Sequence, residues 1–323
     1  MSVSILHERA YQRLINRISG YHPKLEDIKR KKRSIGAGIS GEERVLDYLK
    51  KLQLPWPVLW DVNLEIAPGH HVQIDILVLT PAGAKIYEAK NIAGRLRFEE
   101  APARLDKIMP DGVVAERYDC PMLQLSDEVA NLNIWLYRHD IPCSVDGAVV
   151  MVGSGIIEKP PVTGKILSLR ELRLDVSEWG NRKGRSMKEL SDLARYITEH
   201  NKPYLPFPLI ERAGIRPDEV YWGPICEECR GSLSRKSERV WVCTSCGWIT
   251  DDPYTRTIED WLLLRSRTVT NRQVRELFKI SSPAASRLLR KFGLEAHGNS
   301  RATHYYWDYS TPLMRKKPQM DEC

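Results

Sequence analysis

The sequence has no long hydrophobic run. Its longest apolar stretches, Gly147–Gly153 and Trp261–Leu264, fall far short of the roughly 18 consecutive apolar residues that a membrane-spanning helix requires. The first residues, Met1–Ala10, also lack the apolar segment of a secretory signal peptide. We therefore expect a cytoplasmic protein without a membrane partner.

The cysteines do not fit a disulfide framework. The chain has 7 of them, an odd number, and three are isolated in the sequence: Cys120, Cys143 and Cys323. Disulfide-rich scaffolds belong to oxidising compartments and usually carry an even number of cysteines at close spacing. We expect these three to be reduced thiols.

The length of the chain bears on the number of domains, and its net charge bears on the kind of partner. At 323 residues the chain is long for a single hydrophobic core, so we expect two or three domains. The net charge is +7, and part of the excess lies in the basic run Lys29–Arg33. Such a run is either a solvated arm or a contact with a polyanion, in which Lys31 and Arg33 would bind phosphates.

Two acids and a lysine lie on two apolar segments that read as strands. Asp75 lies in Val72–Leu79, and Glu88 and Lys90 end the segment Lys85–Lys90. Residues two apart on a strand share a face, so Glu88 and Lys90 project together while Ala89 points away. Charges in strands this apolar need a partner, and two carboxylates with a lysine suit a hard divalent cation and a water molecule awaiting deprotonation. The pattern indicates metal-dependent phosphodiester hydrolysis; a surface salt bridge between Glu88 and Lys90 is the alternative.

A helix predicted over Glu42–Leu52 adds a third acid. Its apolar positions form one stripe, and Glu42 falls near the centre of that stripe. Glu42 is therefore a candidate for the metal site, unless it only complements the dipole of the helix N-terminus. We expect the preceding glycine-rich segment, Gly36–Gly41, to be a flexible entry to this helix.

The remaining apolar patterns give a compact α/β core. We expect strands near 58–66, 72–79 and 85–90, a possible short strand at 95–98, a helix that begins at Pro121, and a buried strand at 147–152. This order is α-β-β-β-α-β, with Gln124 at the border of the apolar stripe of the second helix. Farther along, we expect one helix near 186–201 and then a proline-marked linker.

Four cysteines form two C-x2-C pairs, a spacing typical of a structural zinc site. Each pair can form a tight turn whose thiolates converge, and two such turns complete a tetrahedral site with four sulfur ligands. A strand predicted at 239–242 would carry the second pair, as in a zinc ribbon. We expect one structural Zn²⁺ on Cys226, Cys229, Cys243 and Cys246.

The C-terminal region predicts a helix–turn–helix followed by a basic hairpin. Two short helices are expected at 271–278 and 283–292, and a strand or hairpin at 300–307. This pattern is typical of a winged helix, whose second helix enters the major groove of DNA. A helical pair for protein contacts is the alternative. The candidate nucleic-acid contacts in this module are Arg287, Arg290, Lys291 and Arg301.

Taken together, the segments Gly38–Glu43, Gln73–Leu79, Tyr87–Gly94 and Pro121–Gln124 resemble the NERD (nuclease-related domain) family, a branch of the PD-(D/E)XK nuclease-like proteins. The resemblance covers nearly the whole chain, because members of the family append a zinc ribbon and a winged helix. It implies a PD-(D/E)XK restriction-endonuclease-like α/β core, αβββαβ, followed by those two modules.

The resemblance also implies roles for individual residues. Asp75, Glu88 and the carbonyl of Ala89 would bind Mg²⁺ or Mn²⁺, and Lys90, with its pKa lowered by the metal and partial burial, would position or activate the attacking water. Glu42 would complete or support the metal site, and Gln124 would line it.

The leading hypothesis is a Mg²⁺-dependent nuclease that acts on DNA. A DNA-binding regulator or scaffold with a non-catalytic core is the alternative, and RNA as the substrate is a second one. The sequence leaves the oligomeric state open. The predicted division is a basic arm at 1–35, a nuclease-like domain at 36–205, a linker at 206–221, a zinc ribbon at 222–252, a winged helix at 253–312 and a tail at 313–323.

Overall fold

A computed structural model describes residues 3–237, 240–299 and 302–313. The chain forms two compact units. One, here called the central unit, consists of residues 36–204. The other, here called the terminal unit, combines residues 3–35 with residues from 205 onward.

The elements are numbered in chain order. Those that begin before residue 200 are α1 (Val3–Ile15), α2 (Leu25–Lys51), β1 (Val58–Ala67), β2 (His70–Thr80), β3 (Gly83–Lys90), β4 (Gly94–Glu100), β5 (Ala103–Ile108), β6 (Val114–Asp119), α3 (Pro121–Arg138), β7 (Val145–Met151), β8 (Gly155–Lys159), β9 (Ile166–Ser168), α4 (Leu169–Gly180) and α5 (Met187–Glu199). The later ones are α6 (Leu209–Ala213), β10 (Leu233–Arg235), β11 (Trp241–Cys243), β12 (Ile249–Thr250), α7 (Tyr254–Leu264), β13 (Thr268–Thr270), α8 (Asn271–Phe278), α9 (Ser282–Lys291), β14 (Glu295–His297) and β15 (His304–Tyr306).

The central unit is built on a five-stranded sheet of order β1-β2-β3-β7-β9. Strand β3 lies in its middle, antiparallel to β2 and parallel to β7. Apolar residues of α2 and α4 pack with Tyr87 and Ala89, whereas those of α3 and α5 pack with Ala84 and Ile86. Because side chains alternate along a strand, these contacts place helices on both faces of the sheet. Strand β3 is therefore buried on both faces.

The predicted order α-β-β-β-α-β is present as α2, β1, β2, β3, α3 and β7. Between β3 and α3 the chain forms three further strands, which join β8 in a second sheet of order β6-β5-β4-β8. Only β4 was expected. The segments of β5 and β6 are rich in charged residues, which pair within β5 (Arg104 with Asp106) and between the two strands (Lys107 with Glu116). Their sequences therefore lack a clear apolar alternation.

Helix α2 differs from the expectation. The segment Gly36–Gly41 is helical rather than flexible, and the basic run Lys29–Arg33 lies within the same helix. A Cβ atom added at Gly41 would lie 3.0 Å from the Cβ of Asn91, so the glycine permits a close approach there. Asn91 also donates a side-chain hydrogen bond of 3.0 Å to the carbonyl of Ala37, which holds this part of α2 in place.

Residues 3–35 are not a detached arm. Helix α1 packs on α7 and buries Leu6, Ala10 and Leu14 in the core of the terminal unit. Just after α1, the fully buried Arg17 donates a 2.6 Å hydrogen bond to Asp260 of α7. The stretch predicted as a linker contributes to the same core, for example through Phe207. The sequence gives no sign of these contacts, because the partners lie more than two hundred residues apart in the chain.

The rest of the terminal unit contains two small sheets. Strands β10, β11 and β12 form one, and β13, β15 and β14, in that order, form the other. The expected helix pair is present as α8 and α9. The starts of the two strands predicted at 239–242 and 300–307 lie outside the described residues. Within the described ranges, no helix combines the length and the apolar character needed to cross a membrane.

A buried ionic network on one face of β3 predicts a large effect on stability. Lys85 is 1 % exposed, and its Nζ lies 3.3 Å from Oδ2 of Asp175, which also accepts a 2.8 Å hydrogen bond from the hydroxyl of Tyr87. Asp175→Ala removes one of the two carboxylates that contact the Lys85 ammonium, the other being Asp146, and leaves the buried Tyr87 hydroxyl without its acceptor. We therefore expect the free energy of unfolding to fall by about 3 kcal/mol. Chemical denaturation measures it.

The matched control is Asp192→Ala, which removes an exposed pair with Arg195 in the same unit and should cost less than about 0.5 kcal/mol.

The same network predicts a dependence of stability on pH. Burial opposes the charged form of Asp175, but hydrogen bonds from Lys165 and Tyr87 lower the pKa of this carboxyl below its usual value. A carboxylate with a lowered pKa stabilises the fold above its unfolded pKa of about 3.9. The difference between wild type and Asp175→Ala should therefore shrink as the pH falls below about 4. Equal stability of the two proteins at neutral pH would contradict the assigned role.

Candidate active site and cysteine cluster

Asp75 and Glu88 lie near each other on neighbouring strands. The pairing of β2 with β3 ends at Ile76 opposite Tyr87, so both acids lie immediately beyond the last paired position. Burial and then the charge of Glu88 raise the pKa of Asp75, as expected of close carboxylates. The carboxylate of Asp75 also accepts a 3.1 Å hydrogen bond from the backbone N–H of Ala89. The two predicted metal-binding carboxylates are therefore adjacent.

Lys90 joins this pair from the same face of β3. Its ammonium donates a short hydrogen bond to Oε1 of Glu88 and another, of 2.9 Å, to Oε1 of Gln124 on α3. Burial opposes the charged form of Lys90, but Glu88, together with the charges of Asp75 and Glu128, outweighs it and raises the pKa of Lys90. The lysine is therefore a protonated hydrogen-bond donor. The expected lowering of this pKa by a bound metal stays a prediction.

Glu42 reaches the same group of acids from α2. Burial, followed by the charges of Asp61 and Glu88, raises the pKa of Glu42 to about 7. Glu42 does not complement the dipole of a helix N-terminus, because α2 begins at Leu25 and Glu42 lies well inside it. The predicted third acid therefore lies beside the other two, whereas its neighbour Glu43 is exposed.

Sequence reasoning missed a fourth acid, Glu128 of α3. It is 4 % exposed, and its Oε1 accepts a 2.9 Å hydrogen bond from the side-chain amide of Gln124. Burial and then the Glu88 charge raise the pKa of Glu128 to about 9. One feature of the sequence could have identified Glu128: it lies one helical turn after Gln124, on the same side of the helix.

These residues, Glu42, Asp75, Glu88, Lys90, Gln124 and Glu128, are here called the carboxylate site. Burial and then the charges of Glu88, Glu42 and Glu128 hold the pKa of Asp75 well above its usual range. Oε2 of Glu88 and Oε2 of Glu128 are buried without a hydrogen-bond donor. Crowded carboxylates with unmatched oxygens need a proton or a cation between them, and an all-oxygen donor set suits a hard divalent ion. The donor chemistry suits Mg²⁺ or Mn²⁺, but among the described residues only the four paired cysteines bring three or more ligand atoms within 4.8 Å of one another.

The predicted nucleic-acid contacts are placed as follows. On α9, Arg287 and Arg290 are exposed and Lys291 is half-buried, while Ala285, Leu288 and Leu289 face the core. On α2, Lys31 and Arg33 are exposed. Arg301 lies outside the described residues.

The four paired cysteines converge. All four Sγ atoms of Cys226, Cys229, Cys243 and Cys246 lie within 4.8 Å of one another. Two of the separations are 3.7 and 3.4 Å, close to the edge of a tetrahedron with metal–sulfur bonds of about 2.3 Å. Backbone N–H groups, first that of Cys246 and then that of Ser245, lower the pKa of Cys243 to about 6 and so favour its thiolate. The cluster fits a structural zinc ion with no ligand position left open.

Comparison with known proteins gives one match. The sequence model of the nuclease-related domain family (NERD) matches residues 37–152. This span contains every residue of the carboxylate site. No curated protein and no solved structure matches the chain. Residues 37–152 of this chain therefore form a nuclease-related domain.

Proposed function

We propose that the protein is a metal-dependent nuclease that hydrolyses phosphodiester bonds of DNA. The observation that carries the proposal is the carboxylate site itself, in which Asp75 and Glu88 are adjacent, Lys90 is bonded to Glu88, and two buried carboxylate oxygens lack donors. A fold alone does not assign an activity, but this set of side chains has the chemistry of phosphodiester hydrolysis.

Asp75, Glu88 and the main-chain carbonyl of Ala89 would hold the ion, with Glu42 and Glu128 supporting them. A bound Mg²⁺ supplies positive charge at the phosphate and acidifies a bound water. Lys90 would orient that water and donate to the phosphate oxygens, which carry more negative charge in the transition state. Gln124 bonds to both Lys90 and Glu128 and so fixes the direction of the lysine.

The C-terminal elements support DNA as the substrate. The order α7, β13, α8, α9, β14 and β15, with β15 between the other two strands, is the order expected of a winged helix. The second helix of the α8–α9 pair, α9, has Arg287 and Arg290 exposed to solvent, where they could contact a duplex. Because α1 packs on α7, a fragment that starts near Tyr254 would lack part of its core, so binding is best tested in the full chain.

Two alternative functions would also involve nucleic-acid binding. A non-catalytic DNA-binding protein would keep the contacts of α9 and show no cleavage, and an RNA nuclease would differ only in its substrate. The same assay separates them: purified full-length protein with plasmid DNA, linear DNA and RNA, each without added divalent ions and with Mg²⁺, Mn²⁺ or Ca²⁺.

We expect cleavage of DNA with Mg²⁺ or Mn²⁺ and none with Ca²⁺, and we expect Lys90→Ala to lower the rate by at least about a hundredfold. Removal of a group that helps a proton transfer and stabilises charge typically costs 10²- to 10⁴-fold, hence the estimate of about 10² as a lower bound. Gel electrophoresis of products over time measures the rate. Lys202→Ala, which removes an exposed lysine of the central unit, is the control and should leave the rate unchanged. Equal rates in Lys90→Ala and wild type would remove Lys90 from the mechanism.

A second prediction concerns Glu42. Glu42→Gln keeps the size of the side chain but removes one negative charge near the ion, so the Mg²⁺ concentration for half-maximal cleavage should rise about tenfold or more. Glu43→Gln makes the same change one residue away on the exposed side of α2 and should have no effect. If both variants respond to Mg²⁺ like wild type, Glu42 is not part of the metal site.

A third prediction concerns the cysteine cluster. Cys243→Ser should lose the zinc and unfold the small sheet of β10, β11 and β12, because a structural zinc supplies much of the folding free energy of so small a module. Elemental analysis should give one zinc per wild-type chain and clearly less in the variant. Cys143→Ser, at an isolated cysteine, should retain the full amount. A well-folded wild type with less than one metal ion per chain would contradict the assignment.

A further inference from the structure

The terminal unit contains a cleft of about 810 Å³ that the proposed mechanism does not use. It lies between the segment 217–224, the ribbon strands β10 and β11, and helices α7 and α8. Its lining is rich in aromatic rings, including Tyr221, Trp222, Trp241, Trp261 and Phe278. A cleft of this size holds a small organic group or one to two nucleotides.

Two of the indole rings are held in fixed orientations. Nε1 of Trp222 donates a 2.8 Å hydrogen bond to the carbonyl of Pro217, and Nε1 of Trp261 donates one of 3.0 Å to the carbonyl of Thr268. The two rings meet edge to face, with centroids 5.5 Å apart. Both residues are only half-buried, so part of each ring is open to a ligand. Rings fixed in this way lose little entropy when they stack against a planar group.

The charges that line the cleft favour an anion. Its cations are Arg235, Arg265 and Lys279, and none of them forms an ion pair with a carboxylate among the described residues. The two acids of the lining are already paired.

Asp218 pairs with Arg216, and Glu276 pairs with Arg272, and neither of these arginines lines the cleft. The aromatic surface thus lies beside three cations that have no carboxylate partner in the described part of the chain, and the lining carries three cations against two acids. A methylated lysine or another cation would be repelled. A flat ring that carries a phosphate matches both features.

We propose that this cleft binds an unpaired nucleotide of a single nucleic-acid strand, with the base stacked on Trp222 or Trp261 and the phosphates near Arg265 and Lys279. A fully paired duplex keeps its bases stacked inside and cannot offer one to the cleft. The cleft would thus recognise an end, flap or gap. The inference goes beyond the proposed cleavage, since binding at this cleft requires no activity at the carboxylate site.

The test is a binding measurement on the full chain with a fluorescein-labelled oligo(dT) of about ten nucleotides, near the footprint of other single-strand sites. Neither Mg²⁺ nor Mn²⁺ is added, so the carboxylate site does not cleave, and no chelator is present, so the cysteine cluster keeps its zinc. Fluorescence anisotropy reports binding, and quenching of tryptophan emission reports stacking. A duplex with a labelled strand of the same length is measured in parallel.

We expect Trp222→Ala to weaken oligo(dT) binding about tenfold, the effect of losing one base–aromatic stack, while Trp222→Phe retains most of the affinity. The double variant Arg265→Gln, Lys279→Gln should weaken it as well. It should also reduce the slope of log affinity against log salt by about 1.4, because each phosphate contact on a single strand contributes about 0.7. Duplex affinity should be unchanged in all three.

Arg275→Gln is the matched control, because it removes an exposed charge of α8 that does not line the cleft. It should leave oligo(dT) binding within about twofold of wild type. Zinc content and thermal unfolding confirm that each variant is folded, and the double charge variant tests the cleft even if Trp222→Ala proves unstable.

Three results would overturn the proposal. One is no binding of oligo(dT) by the wild-type protein at low salt. Another is wild-type affinity in both the Trp222→Ala and the double charge variants. The third is displacement of oligo(dT) by free dTMP at equal concentration, which would make the cleft a site for a free nucleotide. Loss of cleavage with intact oligo(dT) binding would instead reject the proposed nuclease activity and leave this inference standing.

Discussion

The burial of β3 on both faces is the constraint on which the central unit depends. A strand in this position is normally apolar throughout, yet β3 carries Lys85 and Tyr87 on one face and Glu88 and Lys90 on the other. Every polar group there needs a partner, because its water is lost on folding. On the first face Asp175 of α4 accepts a hydrogen bond from Tyr87 and pairs with Lys85, which also contacts Asp146 of β7. Helices α3 and α4 thus supply polar partners to β3 as well as apolar packing.

On the second face of β3 the polar groups are not all partnered. Lys90 satisfies one oxygen of Glu88, but the other oxygen and one of Glu128 have no donor, and two further acids stand nearby. One cation for four carboxylates leaves negative charge in excess, and burial, followed by this charge, raises the pKa values of Asp75, Glu42 and Glu128. A purely structural network would be neutral, as it is around Lys85. This contrast between the two faces of β3 is the one expected between a functional site and a structural ion-pair network.

Strand periodicity was enough to predict that Glu88 and Lys90 project together, because alternation decides which side chains share a face. The metal-binding and catalytic roles of Asp75, Glu88 and Lys90 stay predictions. Cysteine spacing likewise predicted the four sulfur atoms, which do converge. Glu128 was missed because its inward direction depends on how α3 packs against the sheet. The helical state of Gly36–Gly41 was missed because contact with Asn91 overrides weak local propensity. Residues 3–35 were taken for an arm because their partners in α7 are distant in sequence, and no local pattern records such a contact.

The pairing of α1 with α7 has a consequence for biosynthesis. The central unit uses only residues 36–204, so it can fold as soon as they have left the ribosome. Helix α1 is made before the central unit but finds the apolar face of α7 and the buried Asp260, which pairs with Arg13, only after α7 has emerged. The carboxylate site can therefore form earlier than the C-terminal elements that are proposed to bind nucleic acid. During that interval helix α1 exposes the apolar surface that later packs in the core of the terminal unit.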